Sequence, residues 1–389
     1  MLWFRRRGEP FEIERERTVT GCDGLRRTAT DRRRTDDRTV NNPARPSATY
    51  PSMTADTDSL PTPRAPDPTD PLCPAAVVLT AAFEAPLDER RPWLERHEIA
   101  DAIEVPGAET PLYVTDSDVA ITTTGIGKSD AATTVTALLA NPGLDLESAY
   151  VLSCGIAGSS PATTALGSVA IADAVVDWDR KHRWDRGASD ESNEGPTAGG
   201  DTHDGNDDDD SDADARPIDR LAYRPREYVH RLEESVVDRA LGAARGVELR
   251  TDDETLAYQR RYPDAPDSGP TIERGTTVCG DEFWHGPRYA REVRWLCEQY
   301  DATPYVTTQM EDAATATALE RFGLRDRYLS VRAVSNYDRP APGESVTESF
   351  DGDSSSLELA IDNAERVGRA VVDALVGRDP LDLVDNGTA

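Results

Sequence analysis

Residues 305–338 read YVTTQMEDAATATALERFGLRDRYLSVRAVSNYD, and the way this stretch is read decides the fold. Met310, Ala313, Ala314, Thr317, Ala318, Arg321 and Phe322 recur at helical spacing. Gly323 is placed to end that helix, and Tyr328 to Val334 follows as a short β-rich run. A helix that crosses over into a buried strand is half of an α/β unit. In open α/β sheets ligands collect beyond the carboxyl ends of the strands, so Ser335, Asn336 and Asp338 are expected to face such a crevice. Glu311 stands at the other end, in the first turn of the helix, and admits two readings. Residues 308–311, Thr-Gln-Met-Glu, fit a capping box in which Glu311 reaches back to a free backbone N–H; otherwise its carboxylate is turned to a ligand. Asn336 taken alone is an ordinary turn residue, and Met310 alone is core filler.

Upstream, strands that run into glycine turns recur. Ala75 to Thr80 reads as a first buried strand, and residues 82–98, AFEAPLDERRPWLERHE, end in a polar helix. Val119 to Thr124 runs into Gly125-Ile126-Gly127-Lys128 and then into a helix of small residues. Glycine lets the backbone approach closely and a helix start presents free N–H groups, so this is either an anion or sugar cradle or a plain tight turn. Tyr150 to Cys154 followed by Gly155 repeats the pattern, and Gly167 to Val176 supplies another strand. Pro225 to Ala244 reads as helical. The core resumes at Thr276, where Phe283-Trp284-His285 between glycines is either a site or a buried aromatic pair. Arg291 to Tyr300 is a short helix, and Ser356 to Val376 is a last amphipathic one.

Composition narrows the class. The 389 residues include 37% hydrophobic ones, enough for a core, and no apolar run approaches the roughly 18 residues of a membrane span. The formal charge is −30, and Lys128 and Lys181 are the two lysines of the chain. That balance argues against nucleic acid as a partner and points to a halophilic protein, since concentrated salt screens the self-repulsion. Cys22, Cys73, Cys154, Cys279 and Cys297 show no metal-ligand spacing and are odd in number, which suits a reducing cytoplasm. Residues 1–52 carry 12 Arg against 8 acids without any period, and Met53 is the expected true start. The expected organisation is an extension over 1–74, disordered or foreign to the native protein, one α/β domain over 75–376, and a tail over 377–389. An acidic insertion at 186–215, with 11 acids and one base, is expected to be disordered.

TGIGKSDAA (124–132), SCGIAGSSPATTALGSVAIAD (153–173), CGDEFWHG (279–286), MED (310–312) and SVRAVSNYD (330–338), taken in this order, resemble the purine nucleoside permease family. That family is similar to the nucleoside phosphorylases and to the adenosylhomocysteine/methylthioadenosine nucleosidases. The resemblance implies a single three-layer α/β/α domain with a mixed central sheet. It implies that Met310 packs on a ribose and Glu311 hydrogen-bonds its hydroxyls, with Thr124 and Gly125 near the sugar or phosphate and Gly155 at a neighbouring strand end. It places Phe283 on the base, Trp284 beside it, and Ser335 and Asn336 at purine N7, where the nucleosidases carry an acid in place of Asn336. A glutamate after the first strand activates water in the nucleosidases, and Glu84 is the candidate for it here. A carboxylate at the hydroxyls, an aromatic under the base and a polar group at N7 are what cleavage of an N-glycosidic bond requires. Two functions follow: an enzyme that splits purine nucleosides, or a nucleoside-binding component of uptake without turnover. No metal or organic cofactor is implied, phosphate is a candidate co-substrate, and a homo-oligomer and a membrane transport partner are both left open.

Overall fold

The computed structural model describes residues 60–184, 217–221, 228–350 and 354–381. The expected 186–215 insertion, residues 1–59 and the tail beyond 381 lie outside the described residues. The strands are β1 (Ala76–Thr80), β2 (Ile99–Ile103), β3 (Leu112–Thr115), β4 (Val119–Thr123), β5 (Tyr150–Ser159) and β6 (Val169–Asp177), followed by β7 (Lys181–Arg183), β8 (Ile218–Arg220), β9 (Val229–Arg231), β10 (Ile272–Cys279), β11 (Tyr305–Gln309) and β12 (Tyr328–Tyr337). The helices are α1 (Arg91–Arg96), α2 (Lys128–Leu139), α3 (Glu234–Ala244), α4 (Asp253–Gln259), α5 (Pro287–Gln299), α6 (Asp312–Phe322), α7 (Val346–Phe350) and α8 (Ser354–Gly377).

The central sheet runs β11-β10-β6-β12-β5-β1-β4-β3-β2, with β9 added on β6. Its middle, β12-β5-β1-β4, is parallel, while β3, β2 and β9 pair antiparallel, so the sheet is mixed. Thr308 of β11 also pairs with Gly158 of β5, which closes β5, β12, β6, β10 and β11 into a ring. All residues of β1 and β4 are buried, as expected of parallel strands covered on both faces. Consecutive strand residues point to opposite faces. Ser153 of β5 donates to Asp312 on α6 and Cys154 donates to the Ala364 carbonyl on α8, so these helices cover opposite faces. α2 packs on α6, and α1, α3 and α4 pack on α8, completing three layers. Among the described residues no helix is long and apolar enough to cross a membrane.

Four expectations are corrected. Tyr305 to Gln309 is a strand, and the helix that follows starts at Asp312 instead of Met310. Within the stretch read as helical from Pro225, Val229–Arg231 form strand β9 and the helix itself starts at Glu234, while residues 225–227 lie outside the described residues. Residues 60–74 belong to the domain: the Arg64 N–H donates to the Ala102 carbonyl, the Arg64 carbonyl accepts from Glu104, and its guanidinium pairs with Asp101. They cover part of the outer edge of β2, a place where unpaired backbone groups invite a partner. Asp379, in the expected tail, accepts from Tyr150 and pairs with Arg327.

Candidate functional site

The carboxyl end of β11 sets the site. Gln309 Oε1 accepts the N–H groups of Glu311 (2.8 Å) and Asp312 (2.9 Å), so the start of α6 is capped by Gln309. The capping-box expectation for Glu311 is therefore overturned, and its carboxylate points elsewhere. Glu311 Oε1 accepts from the Gly127 N–H at 3.0 Å, and Oε2 lies 3.3 Å from Arg332 Nη2. Arg332, on β12, is 2% exposed. It donates to both Ser153 Oγ (2.8 Å) and Asp312, while Asp312 also accepts from Ser153 (2.7 Å) and Ser330 (2.5 Å). Burial pushes the Glu311 carboxyl up to about 7, outweighing the Arg332 charge and the Gly127 N–H that hold it down.

A second carboxylate enters from the loop after β1. Glu89 is buried, and its oxygens accept from Ala81 N–H (2.7 Å), Ala82 N–H (3.1 Å) and Ile156 N–H (2.7 Å). Burial raises its pKa above the ordinary carboxylate value, against the pull of Arg332 and the three N–H groups. Gly155 makes this approach possible, since a Cβ there would stand 2.4 Å from Glu89 Oε1. Glu84, expected at this position, is exposed on the loop. The buried acid sits five residues further on, inside the run Asp88-Glu89-Arg90-Arg91, which in sequence looks like a solvated charge cluster. The buried Pro92 and Trp93 that follow at the start of α1 are the one signal that the run turns inward.

Thr124 is buried at the end of β4, and its hydroxyl donates to the carbonyls of Thr80 (3.2 Å) and Gly125 (2.8 Å). Gly125 and Gly127 both adopt positive φ, which lets the chain turn into α2 beside Glu311. The Lys128 N–H donates to Asp281 Oδ1 (2.6 Å), tying this turn to the loop that carries Phe283 and Trp284. Phe283 is 58% exposed, while Trp284 is half-buried and tilted against Trp178 at 6.4 Å between ring centroids. His285 faces away to Ser349, with 3.0 Å between Nε2 and Oγ. Met310 is half-buried next to Glu311. On β12, an irregularity in register between Val334 and Asn336 brings Asn336 opposite Gly158, where a Cβ would stand 3.2 Å from Asn336 Nδ2. The Ser335 hydroxyl bonds Asn336 Oδ1 at 3.0 Å, and Asn336 Nδ2 donates to the Tyr337 carbonyl at 3.2 Å.

These contacts link Gly127, Glu311, Arg332 and Ser153 directly, bring Glu89 to Gly155 and Ile156 within β5, and set Asn336 and Thr308 together at Gly158. The loop that carries Phe283 is tied to this group through the Lys128 N–H and Asp281. Sequence reasoning missed Gln309, Glu89 and Arg332.

Residues 74–378 match the model of the purine nucleoside permease family. A purine nucleoside permease of Candida albicans is 28% identical over 307 residues, covering 74% of this chain and 72% of that protein. A probable purine nucleoside permease of Schizosaccharomyces pombe is 28% identical over 271 residues, covering 65% of this chain and 74% of that one. Among solved structures, the chain is similar to a 5'-methylthioadenosine/S-adenosylhomocysteine nucleosidase from Neisseria meningitidis in complex with methylthio-immucillin-A. The TM-score is 0.50 at 19% identity, covering 78% of this chain and 100% of that one, a likeness of fold.

Proposed function

This chain belongs to the purine nucleoside permease family, and on that premise we propose that it binds a purine nucleoside at the strand ends around Glu311 and cleaves its N-glycosidic bond. The observation that carries the reading is the Glu311 carboxylate, buried, released from capping its own helix and held between the Gly127 N–H and Arg332. A carboxylate so placed accepts hydrogen bonds from ribose hydroxyls, with Met310 against the sugar and the Thr124-Gly125 turn beside it. Phe283 and Trp284 take the base, and Ser335 and Asn336 face purine N7. Glu89 is the second carboxylate, the proton acceptor for the attacking nucleophile. An amide at Asn336 cannot protonate the leaving purine, but it hydrogen-bonds N7 and a 6-oxo group and spreads the charge that develops there. Cysteines 73, 154, 279 and 297 are free, in keeping with a reducing cytoplasm.

The test is incubation of the purified protein in concentrated salt with inosine, guanosine or adenosine, followed by assay for free base. Release of hypoxanthine or guanine supports cleavage. Binding of nucleoside without release supports the second reading, a binding component of nucleoside uptake, which the permease description of the family and its relatives favours.

Two expectations follow for the site. Glu311 binds hydroxyl donors best when ionised, so ribonucleoside affinity should rise as pH rises through about 7, and the rise should be absent in Glu311→Gln. Calorimetric titration across that range checks it; a flat wild-type profile would remove Glu311 from the sugar. Asn336→Asp should narrow or invert a preference for inosine over adenosine. A buried polar group left unpaired by the wrong base discriminates strongly, and about 1.4 kcal/mol already gives tenfold. Affinities for both nucleosides on both proteins decide this, and an unchanged ratio would mean the base is read elsewhere.

A further inference from the structure

We infer that this site admits water and excludes inorganic phosphate, so that the bond cleaved here is hydrolysed. The inference rests on the nucleoside-cleaving reading and names its acceptor. By sequence, the Gly125-Ile126-Gly127 turn opening α2 has the form of an anion cradle, since backbone N–H groups and the helix dipole both favour negative charge there. The cradle is filled by the protein's own carboxylates. The Gly127 N–H donates to Glu311 Oε1 at 3.0 Å and the Lys128 N–H to Asp281 Oδ1 at 2.6 Å. Asp130 adds a third carboxylate to the first turn, close enough to Gly125 that a Cβ there would stand 2.7 Å from its own Cβ.

The nearby cations are committed as well. Lys128 Nζ pairs with Asp177 (2.9 Å) and Asp179 (2.6 Å), and Arg332 is held by Asp312 and Glu311. Around the turn, therefore, Glu89, Glu311, Asp312, Asp177, Asp179 and Asp281 stand against Lys128 and Arg332, with Arg180 on Asp177 (3.3 Å) and Lys181 beside Asp179. A phosphate dianion entering this field must displace a carboxylate or sit among several, and charges of like sign a few ångströms apart repel strongly where water is scarce. A neutral water meets no such barrier and finds carboxylate acceptors. Arg90, next to Glu89, lies over the rings of Phe83 (5.4 Å) and Tyr113 (5.6 Å), and its Nε is buried without a hydrogen-bond partner. A phosphate that did enter would have to draw that guanidinium off its rings or break one of the ion pairs above.

In the step, the water oxygen bonds to C1′ as the C1′–N9 bond breaks, and the bonding pair leaves with the purine. One water proton passes to Glu89 and from there to solvent, the purine takes a proton at nitrogen, and nucleoside plus water gives ribose plus free base.

The experiment has two arms. In the first, inosine is incubated with the full chain in water enriched in heavy oxygen, with and without millimolar inorganic phosphate, and the sugar product is identified by mass. Labelled ribose formed at a rate that phosphate leaves unchanged is expected; ribose 1-phosphate, or release that depends on phosphate, overturns the proposal. The second arm titrates inorganic phosphate into the protein, free and loaded with inosine. The inference predicts that inosine affinity changes by less than about twofold and that no phosphate heat is seen. Saturable phosphate binding overturns the exclusion of phosphate whether or not base is released. Bound inosine with neither base release nor phosphate binding overturns the cleavage reading and leaves the exclusion standing.

Discussion

Glu89→Gln is expected to slow release of base from inosine by about 10²- to 10⁴-fold, the usual contribution of a positioned general base, while nucleoside affinity stays close to that of the native protein. The reason lies in the environment of the side chain. Three backbone N–H groups orient its two oxygens, and burial raises its proton affinity, so it can take a proton that an exposed carboxylate would leave in water. Glutamine keeps the shape and loses the basicity. It also turns an NH₂ group toward one of those N–H donors, so the thermal midpoint must be measured alongside the rate. A variant that is folded, binds inosine and releases base at the native rate would reduce Glu89 to a structural brace for the loop after β1. The matched control is Glu84→Gln on the exposed part of that loop, which should leave the rate unchanged.

Arg332→Met should destabilise the fold by about 3–5 kcal/mol, because removing one partner leaves buried charge uncompensated. Glu311 and Asp312 both pair with this guanidinium, and its charge also steadies Glu89. Denaturant unfolding of both proteins gives the difference. The sign of its pH dependence follows from Glu311, whose pKa burial already pushes up to about 7 with the arginine present. A protonated carboxyl needs no counter-charge, so the deficit should shrink as pH falls below that value and grow as pH rises through it. A deficit that is small and independent of pH would show that the three carboxylates are neutralised by something other than Arg332.

Much of the architecture is legible in the sequence, and its physical reasons are local. The buried run at β1, the apolar stretch of β5, the small-residue helix after Gly127 and the amphipathic α8 each carry their period within a few residues. β11 is hidden because its five residues run straight into a helix whose sequence period reads from Met310. The site divides in the same way. Glu311, Thr124 and Asn336 stand where a strand or turn visibly ends, whereas Gly155, read as the turn after a strand ending at Cys154, lies within β5. Arg332 sits mid-strand, where alternation alone would allow it to face solvent, and its burial depends on Glu311 and Asp312 at the start of α6 and on Glu89 in the loop after β1, far from it in sequence. Glu311 fits the cap of α6 by pattern, and only the fold shows Gln309 in that role, with the Gly127 N–H brought to Glu311. Glu89 is disguised by the arginines and the aspartate beside it.

The claim that Glu311 reads the sugar is tested most directly by the affinities of the native protein and Glu311→Gln for inosine and 2′,3′-dideoxyinosine. A hydrogen bond to a charged group contributes about 1.5–3 kcal/mol. The native protein should therefore prefer inosine, and Glu311→Gln should lose affinity for inosine by that amount while binding the dideoxynucleoside almost as before. Equal losses for both ligands, or none for either, would contradict the placement of the ribose at Glu311.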